Sequence, residues 1–132
     1  MPRSKIQNEK VKDERREQIL SGALSLFASK GLSATRISDI SAKTGMSQGL
    51  VYHYFPSKEA IFVKLISDAL EKMNEAAINL EQMEIPAEMK VRLVVKGLLE
   101  GLIHSPATSD YYFLMTQTAL SESFPAEARE LI

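Results

Sequence analysis

Gln48, Gly49, Tyr52 and His53 fall within six consecutive residues, and their side chains suit contact with a nucleic acid. A glutamine amide pairs bidentately with adenine, and a glycine lets the backbone approach a groove closely. Phenol and imidazole donate hydrogen bonds to phosphate oxygens, as do the Thr35 hydroxyl and the Lys58 ammonium at neighbouring helix starts. Leu50 is an unusual side chain for an exposed position, but it suits a thymine methyl.

Such groups read bases only if a short helix presents them, and the spacing supplies one. Thr35 is placed as an N-cap, and Ile37 and Ile40, three apart, give the segment 36–44 an apolar side. Gly45 ends that helix in the left-handed conformation. Met46 then plugs the turn, and Ser47 caps a second helix that runs to Tyr54 and is stopped by Pro56. Ser57 caps a third, with Lys58 and Glu59 in its first turn. Leu50 and Ala60, three residues after the two serines, make neither a full capping box. Val51 and Phe55 share the core-facing side, which leaves Gln48, Gly49, Tyr52 and His53 largely on the other. Helix, tight turn, helix is the layout that places a reading helix in the major groove. Spacing alone leaves a second reading open, in which these polar residues are an ordinary solvated surface.

The flanking elements read as helices throughout. Ile19, Ala23, Leu26 and Phe27, widened by Leu20 and Leu24, give a first helix over 12–29, ended at Gly31. After Ser57 the apolar period continues to Gln82 through Ile61, Phe62, Leu65, Ile66, Leu70 and Met73. A new helix starts near Pro86, and Val91, Leu93, Val94, Val95, Leu98, Leu99, Leu102 and Ile103 predict one buried on several sides. Gly97 and Gly101 would leave a shallow groove along it. Pro106 ends it, 109–121 forms another helix, and Ala126–Ile132 opens a further one. His104 sits at a helix end, where a cation near the C-terminus is the simplest account.

The net charge of −1 conceals two unlike halves. Residues 1–60 hold ten Lys/Arg against six Asp/Glu, a balance of +4, and residues 61–132 hold six against eleven, a balance of −5. A basic front and an acidic back fit an approach to a polyanion by one end. The segment 2–12, with Arg3, Lys5, Lys10 and Lys12, lacks clear apolar period and is expected as a flexible basic tail. Cysteine is absent, which excludes disulfides and thiolate chemistry. No apolar run nears the ~20 residues needed to span a bilayer, and no secretory leader is evident, so a cytoplasmic location is expected. Two histidines far apart offer no metal spacing, and neither a catalytic nor a cofactor site can be assembled. Gly45-Met46-Ser47-Gln48-Gly49 matches G-x-S-x-G only superficially, because that elbow follows a strand and here a helix precedes it.

The run GLSATRISDISAKTGMSQGLVYHYFPSKEAIF resembles the amino-terminal domain of TetR/AcrR transcriptional repressors. The resemblance includes the helix ending ALSLFASKG, Thr35, the turn TGMSQG, the aromatic run YHYF and the start SKEAIF, and is close over about residues 13–66. It implies an all-α chain with a three-helix reading head at 13–56 and a helical effector-binding and dimerisation domain at 57–132. It also implies contact with double-stranded inverted-repeat DNA through Thr35, Arg36, Ser47, Gln48, Gly49, Leu50, Tyr52, His53 and Lys58. Members typically run about half as long again and dimerise through two later helices, so a partial effector domain is expected, with homodimerisation a property of the full length. A small apolar or amphipathic effector would meet Met73, Leu98, Leu102, Tyr112, Phe113 and Met115, although for any one of them core packing is the better account. The competing class is a helical protein-interaction module without DNA function.

Overall fold

The structure, a computed structural model, describes residues 4–132. The described residues form seven helices and no strands: α1 (Lys5–Lys30), α2 (Ile37–Thr44), α3 (Gln48–Tyr54), α4 (Lys58–Gln82), α5 (Ala87–His104), α6 (Pro106–Leu120) and α7 (Ala126–Glu130). They divide into two compact units, Met1–Phe62 and Val63–Ile132.

In the first unit, Ile19, Ala23 and Phe27 of α1, Ile40 of α2, Val51 of α3 and Ile61 and Phe62 of α4 are fully buried. The expected stripe on the first helix is therefore the core. Phe27 and Phe62 meet edge to face, with ring centroids 5.6 Å apart, the arrangement their quadrupoles favour. Gly22 lies where α1 meets α2, and a Cβ there would stand 2.9 Å from the Thr44 methyl. A larger residue would push the two helices apart.

Helix α1 corrects the expectation of a flexible tail over 1–12. It begins at Lys5, and Ser4 and Gln7 close a capping box: the Gln7 N–H donates to Ser4 Oγ at 3.3 Å and the Ser4 N–H to Gln7 Oε1 at 3.2 Å. The part of that expectation falling on residues 1–3 lies outside the described residues.

In the second unit, Leu65, Ile66, Ala69, Leu114, Thr118 and Ala128 are buried. The Thr118 hydroxyl donates to the Leu114 carbonyl at 2.6 Å, which satisfies a polar group in the interior. Helix α5 overturns the expectation of burial on several sides: none of its residues is buried, and Val91, Val94, Leu99 and Ile103 are all exposed. Its principal packing partner is α6, with Gly101 set against Thr108, where a Cβ would come within 3.0 Å of the threonine methyl. One neighbour covers one side of a helix, so the rest of its apolar circumference faces outward. No helix among the described residues is long and apolar enough to cross a membrane.

Candidate nucleic-acid interface

The turn between α2 and α3 sets the direction of α3. Gly45 adopts φ 71°, ψ 14°, a left-handed conformation that a side chain would strain. The Ser41 hydroxyl donates to the Met46 carbonyl across the turn, while Met46 itself is half-buried. Ser47 caps α3 as expected, its Oγ accepting from the Leu50 N–H at 3.1 Å. Val51 and Phe55 are buried, as their spacing requires, and Phe55 also lies under the Arg16 guanidinium, 6.0 Å from the ring centroid.

Seated this way, α3 leaves Ser47, Gln48, Gly49, Tyr52 and His53 exposed, with Tyr52 at 51%. A Cβ built on Gly49 would meet nothing within 4 Å, so no internal contact requires a glycine there. Leu50 is half-buried, in a groove it shares with His53 and Tyr54 of α3 and Val11, Lys12 and Arg15 of α1. The early turns of α1 thus bring two cations beside α3, an arrangement that a reading of 2–12 as tail misses. The Ser4-x-x-Gln7 pair is the sequence signal that reveals it.

Thr35, Arg36, Tyr52, Ser57 and Lys58 border a second cleft, where α2 and α4 begin. Arg36, not Thr35, is the N-cap of α2, and its N–H donates to Asp39 Oδ2 at 2.9 Å. Asp39 also pairs with Lys30 Nζ at 3.1 Å. The Arg36 backbone hydrogen bond, then the Lys30 hydrogen bond, hold the Asp39 carboxyl below the usual carboxylate range. The Thr35 hydroxyl is fully buried and donates to the Gly31 carbonyl at 2.6 Å, so it closes the end of α1 instead of capping α2. Lys58 also faces inward: its Nζ donates to the carbonyls of Leu32 at 2.8 Å, Thr35 at 2.9 Å and Ser33 at 3.3 Å. Ser57 caps α4, its Oγ accepting from the Ala60 N–H at 3.1 Å. Of the nine expected contacts, then, Arg36, Ser47, Gln48, Gly49, Tyr52 and His53 are exposed, Leu50 lines a groove, and Thr35 and Lys58 serve the frame.

Of the six residues expected around an effector, Met73, Tyr112 and Met115 border one recess of ≈ 130 Å³ between α4 and α6, with Ala69, Lys72 and Thr108. Leu98, Leu102 and Phe113 are exposed and do not line it.

Residues 19–65 match the family model described as bacterial regulatory proteins, tetR family. The chain is 39% identical over 57 residues to the HTH-type transcriptional repressor KstR2 of Mycolicibacterium smegmatis, which covers 43% of this chain and 28% of that protein. It is 30% identical over 102 residues to the HTH-type transcriptional regulator HbdR of an Aromatoleum species, covering 77% of this chain and 37% of the relative. Among solved structures, a TetR-family transcriptional regulator from Bordetella parapertussis superposes with a TM-score of 0.74 at 25% identity, over 87% of this chain and 57% of the other. The chain spans less than half the length of these two curated relatives. Helix α2, the glycine turn and α3 lie within the matched residues, together with the later part of α1 and the start of α4, and this part of the chain belongs to the TetR family of bacterial regulatory proteins.

Proposed function

We propose that the protein is a DNA-binding transcriptional regulator, a repressor that occupies an inverted-repeat operator and is released by a small-molecule effector. The observation that carries this reading is the surface of α3. A helix capped by Ser47 and anchored by buried Val51 turns Gln48, Gly49 and Tyr52 outward, and nothing within the protein requires Gly49 to be glycine. Base edges fall to Gln48, Gly49 and Leu50, and phosphates to Arg36, Ser47, Tyr52 and His53. Lys12 and Arg15, beside α3, extend the positive border. In this reading the protein acts in the cytoplasm as a homodimer at full length, because two half-sites about one helical turn apart, ~34 Å, need two heads. The recess around Met73, Tyr112 and Met115, at ≈ 130 Å³, has room for only part of a small apolar or amphipathic effector, with thioethers that adapt to its shape and Lys72 at its border. The competing reading, a protein-interaction module, treats Gln48 and Tyr52 as incidental surface.

Selection of bound sequences from a random DNA pool tests the proposal. Enrichment of an inverted repeat, lost in Gln48→Ala and Tyr52→Ala proteins of unchanged helicity, is the expected result. No enrichment, or enrichment that survives both substitutions, overturns the assignment.

A further inference from the structure

We infer that Lys58 serves DNA binding as a positioning residue turned inward on the α1–α2 turn, and not as a phosphate contact; this rests on the DNA-binding reading above. A lysine ammonium has three N–H donors and no acceptor. Here three carbonyl oxygens converge on it, those of Leu32, Thr35 and Ser33 at 2.8, 2.9 and 3.3 Å. They belong to residues 23 to 26 positions earlier in the chain, so the contact ties the start of α4 to a turn that local sequence does not hold there. With its donors engaged, the ammonium has none left for a phosphate oxygen unless it gives up a carbonyl.

The same geometry shows what the cation controls. Three carbonyl dipoles aimed at one point repel each other, and the positive charge between them is what makes the turn tight. The Thr35 N–H reaches the Leu32 carbonyl at only 3.3 Å, while the Thr35 hydroxyl is committed to Gly31 at 2.6 Å. Arg36 follows directly, with its N–H fixed on Asp39 and its side chain exposed at the cleft it shares with Tyr52. Lys58 therefore sets the distance between the start of α4 and the start of α2, and so the place of Arg36 beside Tyr52.

The test compares the full chain with Lys58→Met and Arg36→Met, using the selected DNA. Two readouts are taken: the slope of log affinity against log salt, and residue-resolved amide exchange at Thr35 and Arg36. A side chain that neutralises one phosphate contributes about one unit of that slope, and Arg36→Met is expected to lose it. Lys58→Met is expected to weaken binding roughly tenfold at every salt concentration with the slope unchanged. The Thr35 and Arg36 amides should exchange at least about tenfold faster. A slope reduced by about one unit with unchanged amide exchange would make Lys58 a phosphate contact and overturn the inference. Unchanged affinity would overturn it too. If Lys58→Met does not fold, Lys58→Gln, which keeps two N–H donors, is read by the same two criteria. If the unaltered chain binds no DNA, the proposed function fails, and unchanged exchange at Thr35 and Arg36 would then reject the clamp separately.

Discussion

Phe27 in α1 and Leu99 in α5 are both large apolar side chains on helices, yet Phe27 is fully buried and Leu99 is 52% exposed. In the first unit each apolar stripe has its partner close by in the chain. Helix α1 packs on α2, α2 on α3, and Phe62 at the start of α4 returns to Phe27. In the second unit α5 packs chiefly on α6, and its other sides face outward. Apolar periodicity therefore reports that a helix has a face to bury. How much is buried depends on the neighbours the fold brings to it.

Substitutions sharpen this contrast, beginning with the largest effect. Phe27→Ala or Phe62→Ala should cost about 3–5 kcal/mol by urea unfolding, through lost transfer energy and the cavity left behind. A cost under about 1 kcal/mol would mean that the head core is not packed as described. Gly22→Val forces a branched side chain against Thr44, 2.9 Å from the position of a Cβ, and should cost about 1–3 kcal/mol. Ser47→Ala removes the cap of α3 and should cost about 1 kcal/mol, with the loss seen as faster amide exchange at Leu50. At the small end, Leu99→Ser and Val94→Ser should each cost far less than a core residue, under about 1 kcal/mol, because each side chain keeps about half its surface in water. A loss of 2 kcal/mol or more, roughly that of a core residue, would show that α5 is covered in solution and would break the contrast.

The pH dependence of the head follows from Asp39. Its carboxyl titrates below the usual range when folded, so the unfolded chain takes up the proton first as pH falls. Its stabilisation is complete at neutral pH, starts to decline as pH enters the ordinary carboxylate range, and is gone below the depressed folded value. Thermal melts from pH 7 downward should show that acid loss in the unaltered chain and a smaller one in Asp39→Asn. The difference should shrink at high salt, since the Lys30 pair is partly exposed. Identical acid profiles would remove Asp39 from the account.

Much of the head was legible in the sequence because its signals are local. Ser47, Gly45, Pro56 and the spacing of Val51 and Phe55 each dictate a conformation within a few residues, and α3 follows them closely. The start of α1 was also local, in Ser4 and Gln7, but a basic segment without apolar period masked it. What was not legible depends on contacts across the chain. That Lys58 reaches Leu32, Ser33 and Thr35, and that the Thr35 hydroxyl points at Gly31, are consequences of how α4 and α1 meet. Residue types alone make both look like surface donors. The exposure of α5 has the same origin, since composition specifies the apolar face and only the fold specifies its cover.

Whether α3 reads DNA is decided by anisotropy titrations of the chain against selected and scrambled duplexes over a range of salt. If it does, binding is tighter to the selected duplex and affinity falls steeply with salt for both. Gln48→Ala should then remove the preference while most of the salt dependence remains. Equal affinity for the two duplexes, or a preference that survives loss of Gln48, would contradict a reading role for α3.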